Sequence, residues 1–341
     1  MFCRRRTTIC LILLYFCYIM TGCASDSYIS TYNVGVVQTC EYEKNSKICC
    51  FNKEFQMINS YRYPYSYIDY VDFSNACIYQ NNLYMAPQGD SFQRNFGKIV
   101  ALDLESGQTE EFEFNRINIT GYDCNEKFVC ATSNLNNINY IDVYDRDKNK
   151  IISAEYQDIY VNTVAIVNDE IYGVTSITVS DQEKLYICKF DFENSDYKKI
   201  YEIKRQEEFL EKYDENLYFL DGNNLCEYDT ATEEIKKIQL SKTDGFNINV
   251  FDDKIYVGFT DIFNGSESFI DIISLKTKQV VGTIKHNGCI RQMEISKDGS
   301  VYVLDYEKLY HYRKEKDHFY LEETCVMETS GDYYVGGFYL K

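Results

Sequence analysis

A short residue pattern recurs along most of the chain, and it limits the possible folds more than any other feature. Each copy is an acidic or asparagine-containing turn followed by an aliphatic and aromatic strand, as in the segment from Asn168 to Tyr172. The strands of the seven copies begin at Leu83, Phe128, Ile171, Leu217, Ile255, Val301 and Tyr333. Their spacings are 45, 43, 46, 38, 46 and 32 residues, and a repeat of this length is typical of a propeller blade.

A second element follows each of the first six copies: a strand, a polar turn and a further strand. In the segment from Ile141 to Asp147, apolar and polar residues alternate, as they do in half-buried strands. An unpaired version of this element runs from Val34 to Phe51, before the first copy, and none follows the copy at Tyr333. Only the segment from Arg205 to Tyr213 has a weak helical pattern.

We therefore predict an all-β fold, a seven-bladed β-propeller whose last blade is shared by the N- and C-terminal segments. In this prediction the N-terminal segment contributes an outer hairpin and the C-terminal segment an inner hairpin. Closing the ring in this way removes the exposed sheet edges that promote aggregation. A six-bladed ring, an eight-bladed ring and a pair of β-sandwiches are the alternatives, and the repeat length favours seven blades.

The first 22 residues have the features of an export signal. Three arginines, Arg4 to Arg6, precede an apolar run from Ile9 to Met20 that is too short for a permanent membrane span. The run ends in Met20-Thr21-Gly22-Cys23-Ala24, which resembles the bacterial lipobox. The resemblance implies cleavage before Cys23 and attachment of lipid to its thiol. An ordinary secretory signal with an incidental cysteine is the alternative.

These boundaries give three regions: a lipoprotein signal peptide at 1–22, a lipid-anchored tether at 23–30 and the propeller at 31–341. The expected location is the bacterial cell envelope, outside the cytoplasmic membrane, with the lipid on Cys23 as the membrane contact. The formal net charge is −18, from 53 acidic and 35 basic residues. Such an acidic chain lacks the basic surface that a nucleic-acid partner requires.

The sixth copy of the repeat, the segment from Ile295 to Val303, resembles the YVTN and quinoprotein-like group of WD40-like seven-bladed propellers. The resemblance extends over about residues 30–341 and concerns the fold. The chain contains no tryptophan, so it lacks both the Trp-Asp dipeptide of WD40 blades and the tryptophan motif of pyrroloquinoline-quinone enzymes. The group includes enzymes and binding proteins, so the resemblance does not define an activity.

Several polar residues are candidates for metal chemistry. Lactonases on similar propellers hold a metal ion with inward-facing Glu, Asn and Asp side chains, and the strands before the repeat markers offer Asp123, Asn162, Asn247 and Glu294. A polar lining of a water-filled channel is the alternative and the favoured interpretation. The segment from Asp145 to Asn149 has acidic spacing like that of a calcium loop, but a hairpin turn is expected there. We therefore predict neither a metal site nor a cofactor.

Aromatic residues indicate a binding surface. Tyr61, Tyr63, Tyr65 and Tyr67 alternate along one extended segment and could form a stacking surface for sugar or peptide; a strap packed on the blade is the alternative. The longer links between strands are all expected on one face of the ring, and they carry Phe92, Arg94, Phe96 and Phe263. Loops on a rigid scaffold often bind ligands, and aromatic and arginine side chains are common anchors. We expect Tyr63, Tyr65, Arg94 and Phe96 to lie near a shared concavity.

Ten cysteines follow Cys23, and most occupy apolar strand positions, where buried free thiols are expected. A four-residue turn after Tyr42 would place Cys40 opposite Cys49, within reach of a disulfide, with free thiols as the alternative. Taken together, these patterns predict a cell-surface lipoprotein that binds a protein, peptide or glycan through the long-loop face. A propeller enzyme of the lactonase or lyase type is the second hypothesis.

Overall fold

The computed structural model describes residues 28–68, 75–88, 97–114, 116–157, 159–179, 182–204, 209–242, 245–260, 267–316 and 318–341. These residues form seven four-stranded antiparallel sheets. The chain is therefore an all-β, seven-bladed propeller, as the repeat predicts. Within these ranges the chain forms no helix, and hence no helix that could cross a membrane.

Each of the first six blades is formed by four consecutive strands, of which the first is innermost. Blade 1 contains β4 (Cys77–Tyr79), β5 (Asn82–Met85), β6 (Lys98–Asp103) and β7 (Thr109–Glu113). Blade 2 contains β8 (Ile119–Cys124), β9 (Phe128–Leu135), β10 (Ile138–Asp145) and β11 (Lys150–Gln157). Blade 3 contains β12 (Ile159–Val167), β13 (Glu170–Val179), β14 (Gln182–Asp191) and β15 (Asp196–Ile203).

The next three blades repeat this arrangement. Blade 4 contains β16 (Leu210–Tyr213), β17 (Asn216–Asp221), β18 (Asn224–Asp229) and β19 (Glu234–Gln239). Blade 5 contains β20 (Gly245–Phe251), β21 (Lys254–Phe259), β22 (Ser268–Ser274) and β23 (Gln279–His286). Blade 6 contains β24 (Gln292–Ile295), β25 (Val301–Leu304), β26 (Lys308–Glu315) and β27 (His318–Val326). The weak helical pattern before Tyr213 is misleading, since β16 begins at Leu210.

The ring is held together by apolar cores between neighbouring blades. Between blades 3 and 4, for example, Val174 and Ile187 share a core with Phe219 and Cys226. Equivalent cores join every other neighbouring pair, including the pairs that flank the shared blade. Because burial of apolar side chains is the main favourable term in folding, each blade depends on both of its neighbours.

The repeated turn joins the first and second strands of a blade. Asn168 and Asp169 have φ angles of 51° and 62°, and both central residues of a tight type I′ hairpin turn need such values. Asn81, Asp214 and Asp252 also have positive φ angles, of 64°, 52° and 58°. Asparagine and aspartate tolerate this conformation better than most residues, which explains why the repeat shows them at the turn.

The shared blade divides differently from the prediction. Its strand order is β28–β1–β2–β3, with β28 (Tyr334–Leu340) innermost, followed by β1 (Val34–Thr39), β2 (Ser46–Phe51) and β3 (Met57–Tyr63). The C-terminal segment therefore contributes one strand instead of an inner hairpin. The segment containing Tyr61 and Tyr63 is an outer strand instead of a link. Its outer position leaves Met57 and Ile58 61% and 41% exposed, so its hydrophobic alternation is weak.

Side chains of blade 6 hold the closing strand in place. The Arg291 guanidinium donates to the carbonyl oxygens of Val335 and Gly336 at 2.6 and 3.1 Å. Gln292 Nε2 donates to the carbonyl oxygen of Phe338 at 2.7 Å, and the backbone N–H of Phe338 donates to Gln292 Oε1 at 2.9 Å. On its other side β28 pairs with β1, where Tyr339 lies opposite Gly35. The strand is thus bonded along both edges.

Candidate functional site

Six innermost strands place one residue each at the same level of the central channel. Each of these residues lies opposite the second strand residue of a repeat copy, as Cys77 lies opposite Tyr84, the residue after Leu83. They are Cys77, Cys124, Ala165, Glu211, Asn249 and Glu294. Because the innermost strands surround the propeller axis, two thiols, two carboxyl groups and an amide occur at one level of the channel.

A lysine from blade 4 reaches an aspartate of blade 2 within this channel. Lys212 Nζ lies 2.7 and 2.6 Å from the two carboxylate oxygens of Asp123, and 3.0 Å from the carbonyl oxygen of Cys124. Asp123 Oδ2 also accepts a hydrogen bond of 2.6 Å from the backbone N–H of Ile166. Burial opposes the charge on Lys212, but the Asp123 carboxylate outweighs it and raises the pKa of the lysine. The lysine is therefore held in its charged form beside this carboxyl group.

The two glutamates are held by the segment that enters blade 1. Asn75 Nδ2 donates to Glu211 Oε2 and to the carbonyl oxygen of Ile248, both at 2.6 Å. The backbone N–H of Ala76 donates to Glu294 Oε1 at 2.7 Å, and Gln292 donates to the same oxygen at 2.9 Å. Residues 75 and 76 thus contact blades 4, 5 and 6, which places them inside the channel.

Burial shifts the protonation of both glutamates. It raises the pKa of Glu211 to about 8 and that of Glu294 to about 7, because removal from water disfavours a charged carboxylate. For Glu211, the negative charge of Glu294 adds to this shift, while the hydrogen bond from Asn75 opposes it. Carboxyl groups with pKa values near neutrality can donate or accept protons under physiological conditions.

Cys77, Asp123 and Cys124 form a group whose ligand atoms all lie within 4.8 Å of one another. Cys77 Sγ is 3.8 Å from Cys124 Sγ and 3.9 Å from Asp123 Oδ1. Both cysteines are free thiols. The hydrogen bond between the two thiols and burial raise the pKa of Cys77, so this thiol is protonated in the absence of a bound cation.

Among the channel residues predicted from the sequence, Asp123 belongs to this group, and Glu294 is one of the two channel glutamates. Asn247 is 1% exposed, and Asn162 Oδ1 lies 3.4 Å from the hydroxyl of Ser176. The cysteines and Glu211 are not evident from sequence, because the level that a residue occupies depends on the strand register. The segment after Asp145 forms a hairpin turn, in which Asp145 accepts from the backbone and side chain of Lys148.

The tyrosine run does not form the predicted stacking surface. Tyr61 and Tyr63 are 6% and 1% exposed and belong to the core between the shared blade and blade 1. They are buried because β3 packs that face on its neighbours. Tyr65 is half-buried, and its hydroxyl donates to Glu111. Tyr67 is half-buried with a φ of 50°.

The remaining predicted binding residues lie outside the described part of the chain. These are Phe92, Arg94, Phe96 and Phe263, together with the proposed lipid-bearing Cys23. The shared concavity of Tyr63 and Tyr65 with Arg94 and Phe96 therefore stays a prediction, although Tyr63 itself is too buried to contact a ligand.

The predicted pairing of Cys40 with Cys49 is wrong. The register of β1 and β2 places Cys49 opposite Val36, and Cys40 follows the end of β1. The loop spans residues 40–45, so Gln38 and not Tyr42 faces Lys47. Both cysteines are free and buried.

A groove between blades 2 and 3 is formed by hairpin turns on the face opposite the long links. Its volume is about 410 Å³, and its lining includes Phe128, Phe190 and Phe192. Lysines alternate with acids around it: Lys127 lies 3.1 Å from Asp169, and other ion pairs are Lys148 with Asp145 and Lys189 with Glu170. The groove thus has an aromatic lining and charged groups of both signs.

No family model matches this chain, and no curated protein matches it in sequence. Solved structures do match its fold. A protein of unknown function from Desulfotomaculum acetoxidans aligns with a TM-score of 0.58 and 15% identity, covering 90% of this chain and 98% of that one. A protein from Bacteroides uniformis described as a "putative 6-phosphogluconolactonase" aligns with a TM-score of 0.60 and 10% identity, covering 91% and 100%.

A protein from Bacteroides fragilis with the same description aligns at 0.59 and 10% identity, covering 92% and 99%. At such low identity these similarities demonstrate the fold alone. They agree with the propeller fold and assign no activity.

Proposed function

We propose that this chain is a lipid-anchored binding protein of the bacterial cell envelope whose propeller holds a protein, peptide or glycan. The observation that carries the proposal is that protein donors hydrogen-bond to each carboxyl group of the channel, which favours binding over lactonase-type metal chemistry. Asp123 is bonded by Lys212 and Ile166, Glu294 by Ala76 and Gln292, and Glu211 by Asn75. A lactonase-type metal site built from Glu, Asn and Asp would need these oxygens to converge on one ion.

The export signal supports the anchored location. A cationic start, an apolar run of signal-peptide length and the lipobox-like segment before Cys23 occur in the order that lipoprotein processing requires. Stable anchoring takes more than one acyl chain. A lipid on Cys23 would hold the acidic propeller near the membrane surface.

Two surfaces of the ring are available for a partner. One is the long-link face, to which we assign Arg94, Phe96 and Phe263 from the sequence alone. The other is the opposite face, with the groove lined by Phe192 and Lys189. Aromatic and cationic side chains beside one another suit glycans and peptides, through stacking and hydrogen bonding. We favour the long-link face because two links between second and third strands, from β5 to β6 and from β21 to β22, are extended there. The links from β9 to β10 and from β13 to β14, also expected to be long, span only two residues each.

A lactonase- or lyase-type enzyme is the second candidate. The pKa values of about 8 for Glu211 and about 7 for Glu294 favour it, because acid–base catalysts have pKa values near the working pH. Asn75 and Ala76 hydrogen-bond to these groups, so a substrate that binds the glutamates would have to replace those bonds.

The test compares three variants on immobilised arrays of envelope glycans and peptides and in lactone-hydrolysis assays. Arg94→Ala should abolish array binding, whereas Phe192→Ala in the groove should leave it intact. The reverse pattern would move the site to the groove. Lactone hydrolysis by the wild type that is lost in Glu294→Gln, with no array binding, would replace the binding proposal by the enzyme.

A further inference from the structure

The thiols of Cys77 and Cys124 belong to different blades, yet they meet in the channel beside a carboxylate. Tetrahedral coordination with metal–sulfur bonds of about 2.3 Å places two sulfur ligands about 3.8 Å apart. The Sγ–Sγ distance here is 3.8 Å. With a metal–oxygen bond of about 2.1 Å, a sulfur and an oxygen ligand would be about 3.6 Å apart, and Cys77 Sγ lies 3.9 Å from Asp123 Oδ1.

The carboxylate is oriented by groups outside the cluster. Asp123 Oδ2 accepts a hydrogen bond of 2.6 Å from the backbone N–H of Ile166, and the Lys212 ammonium lies 2.6 Å from Oδ2 and 2.7 Å from Oδ1. Oδ1 is the oxygen that faces Cys77. In metal sites, ligating carboxylates are held by such hydrogen bonds.

The charges also balance. Two thiolates and one carboxylate carry three negative charges, and a divalent ion leaves one of them uncompensated. The Lys212 ammonium, 2.6 and 2.7 Å from the two Asp123 oxygens, supplies the remaining positive charge. Binding breaks both S–H bonds and releases two protons to solvent, while the two thiolate electron pairs form the metal–sulfur bonds.

We propose that Cys77, Cys124 and Asp123 bind one thiophilic divalent cation of the zinc class, which links blades 1 and 2 inside the channel. The three protein ligands leave a fourth position for water or a ligand. Cys77 itself is half-buried, whereas Cys124 is buried. Soft thiolate ligands select zinc-class ions over calcium and magnesium.

The experiment titrates the reduced full-length protein with Co²⁺ as a spectroscopic probe and then displaces it with Zn²⁺. One Co²⁺ per chain should bind, with a thiolate-to-metal charge-transfer band and the strong visible bands of tetrahedral cobalt. Cys77→Ser and Cys124→Ser should each weaken binding by more than about 100-fold, which exceeds the loss expected for a second-shell change. Cys188→Ala, which removes a buried thiol of blade 3, should leave affinity unchanged.

A second measurement does not depend on variants. Saturating Zn²⁺ should protect Cys77 and Cys124 from alkylation in peptide mass spectra while leaving the labelling of Cys289 and Cys325, which are half-buried, unchanged. Equal affinity in the wild type and both serine variants would overturn the proposal. So would the absence of a charge-transfer band, or recovery of Cys77 and Cys124 as a disulfide that binds no metal.

Discussion

Removal of the closing strand should destroy most of the stability of the ring. A chain that ends after Ser330 loses Val335, Phe338 and Tyr339, which are 3%, 0% and 0% exposed. Burial of one large apolar side chain contributes about 1.5–3 kcal/mol, so the three contribute roughly 5–9 kcal/mol. Whole domains are stable by about 5–15 kcal/mol. The truncation also leaves the buried Arg291 guanidinium without two of its carbonyl acceptors.

The point variant Phe338→Ala gives a measurable version of the same test. Because Phe338 is fully buried in the core shared with blade 6, the variant's free energy of unfolding should be about 3–5 kcal/mol below that of the wild type. Urea denaturation followed by circular dichroism measures this change. Tyr42→Ala is the matched control, because Tyr42 is 64% exposed and its loss should change the free energy by less than about 0.5 kcal/mol.

The argument for closure by β28 fails on either of two results. One is a truncated chain with the urea midpoint of the wild type. The other is a Phe338→Ala variant that loses no more stability than Tyr42→Ala, with an unchanged dependence on urea concentration.

Three further predictions concern other positions. Gly35→Ala should lower the free energy of unfolding by about 1–3 kcal/mol, because its new methyl group would overlap the Tyr339 ring. Gly282→Ala is the control, since the nearest atom to its new methyl group would be 3.6 Å away. Equal urea midpoints for the two variants would contradict the packing argument. Glu211→Gln should become progressively more stable relative to wild type as pH rises from about 4.5 to about 8. Because the pKa of Glu211 is raised in the folded state, the folded wild type binds this proton more tightly than the unfolded chain does. The stability that this proton contributes to the wild type is lost as pH rises through this range, and the glutamine variant has no such loss. A difference in melting temperature that stays constant with pH would count against this. Cys23→Ser should abolish incorporation of labelled fatty acid and release the chain from membranes; a variant that is still labelled and membrane-bound would refute the anchor.

The blade count is predictable from sequence because the turn chemistry repeats. Asn168-Asp169 and its equivalents adopt positive φ angles that few residues tolerate, and apolar second strands follow them. The division of the shared blade is not predictable in this way. An outer strand buries only one face, so the segment from Met57 to Tyr63 lacks a strong apolar pattern in sequence. Tyr61 and Tyr63 pack on the buried face, but in sequence they are indistinguishable from an exposed aromatic surface.

The channel cluster shows a different limit. Asp123 and Glu294 are evident as polar residues on innermost strands, but the position of Cys77 beside Cys124 depends on the register in two separate blades. A shift of one residue in either strand would point a thiol to the opposite side of its sheet. The Cys40 and Cys49 prediction failed for this reason, since a loop of residues 40–45 moved the register.

The three-to-one division of the shared blade also makes closure of the ring a long-range contact. Tyr32 and Tyr339, whose hydroxyls lie 2.8 Å apart, are separated by 307 positions in the chain. Joining segments at that separation costs about 5 kcal/mol in chain entropy. Because β28 follows blade 6 in the chain, β1 keeps an open edge until β28 has been synthesised. Long-range strand pairing of this kind forms slowly and leaves strand edges open to aggregation in the meantime. A circular permutant opened at a turn within one blade would replace it with a local hairpin.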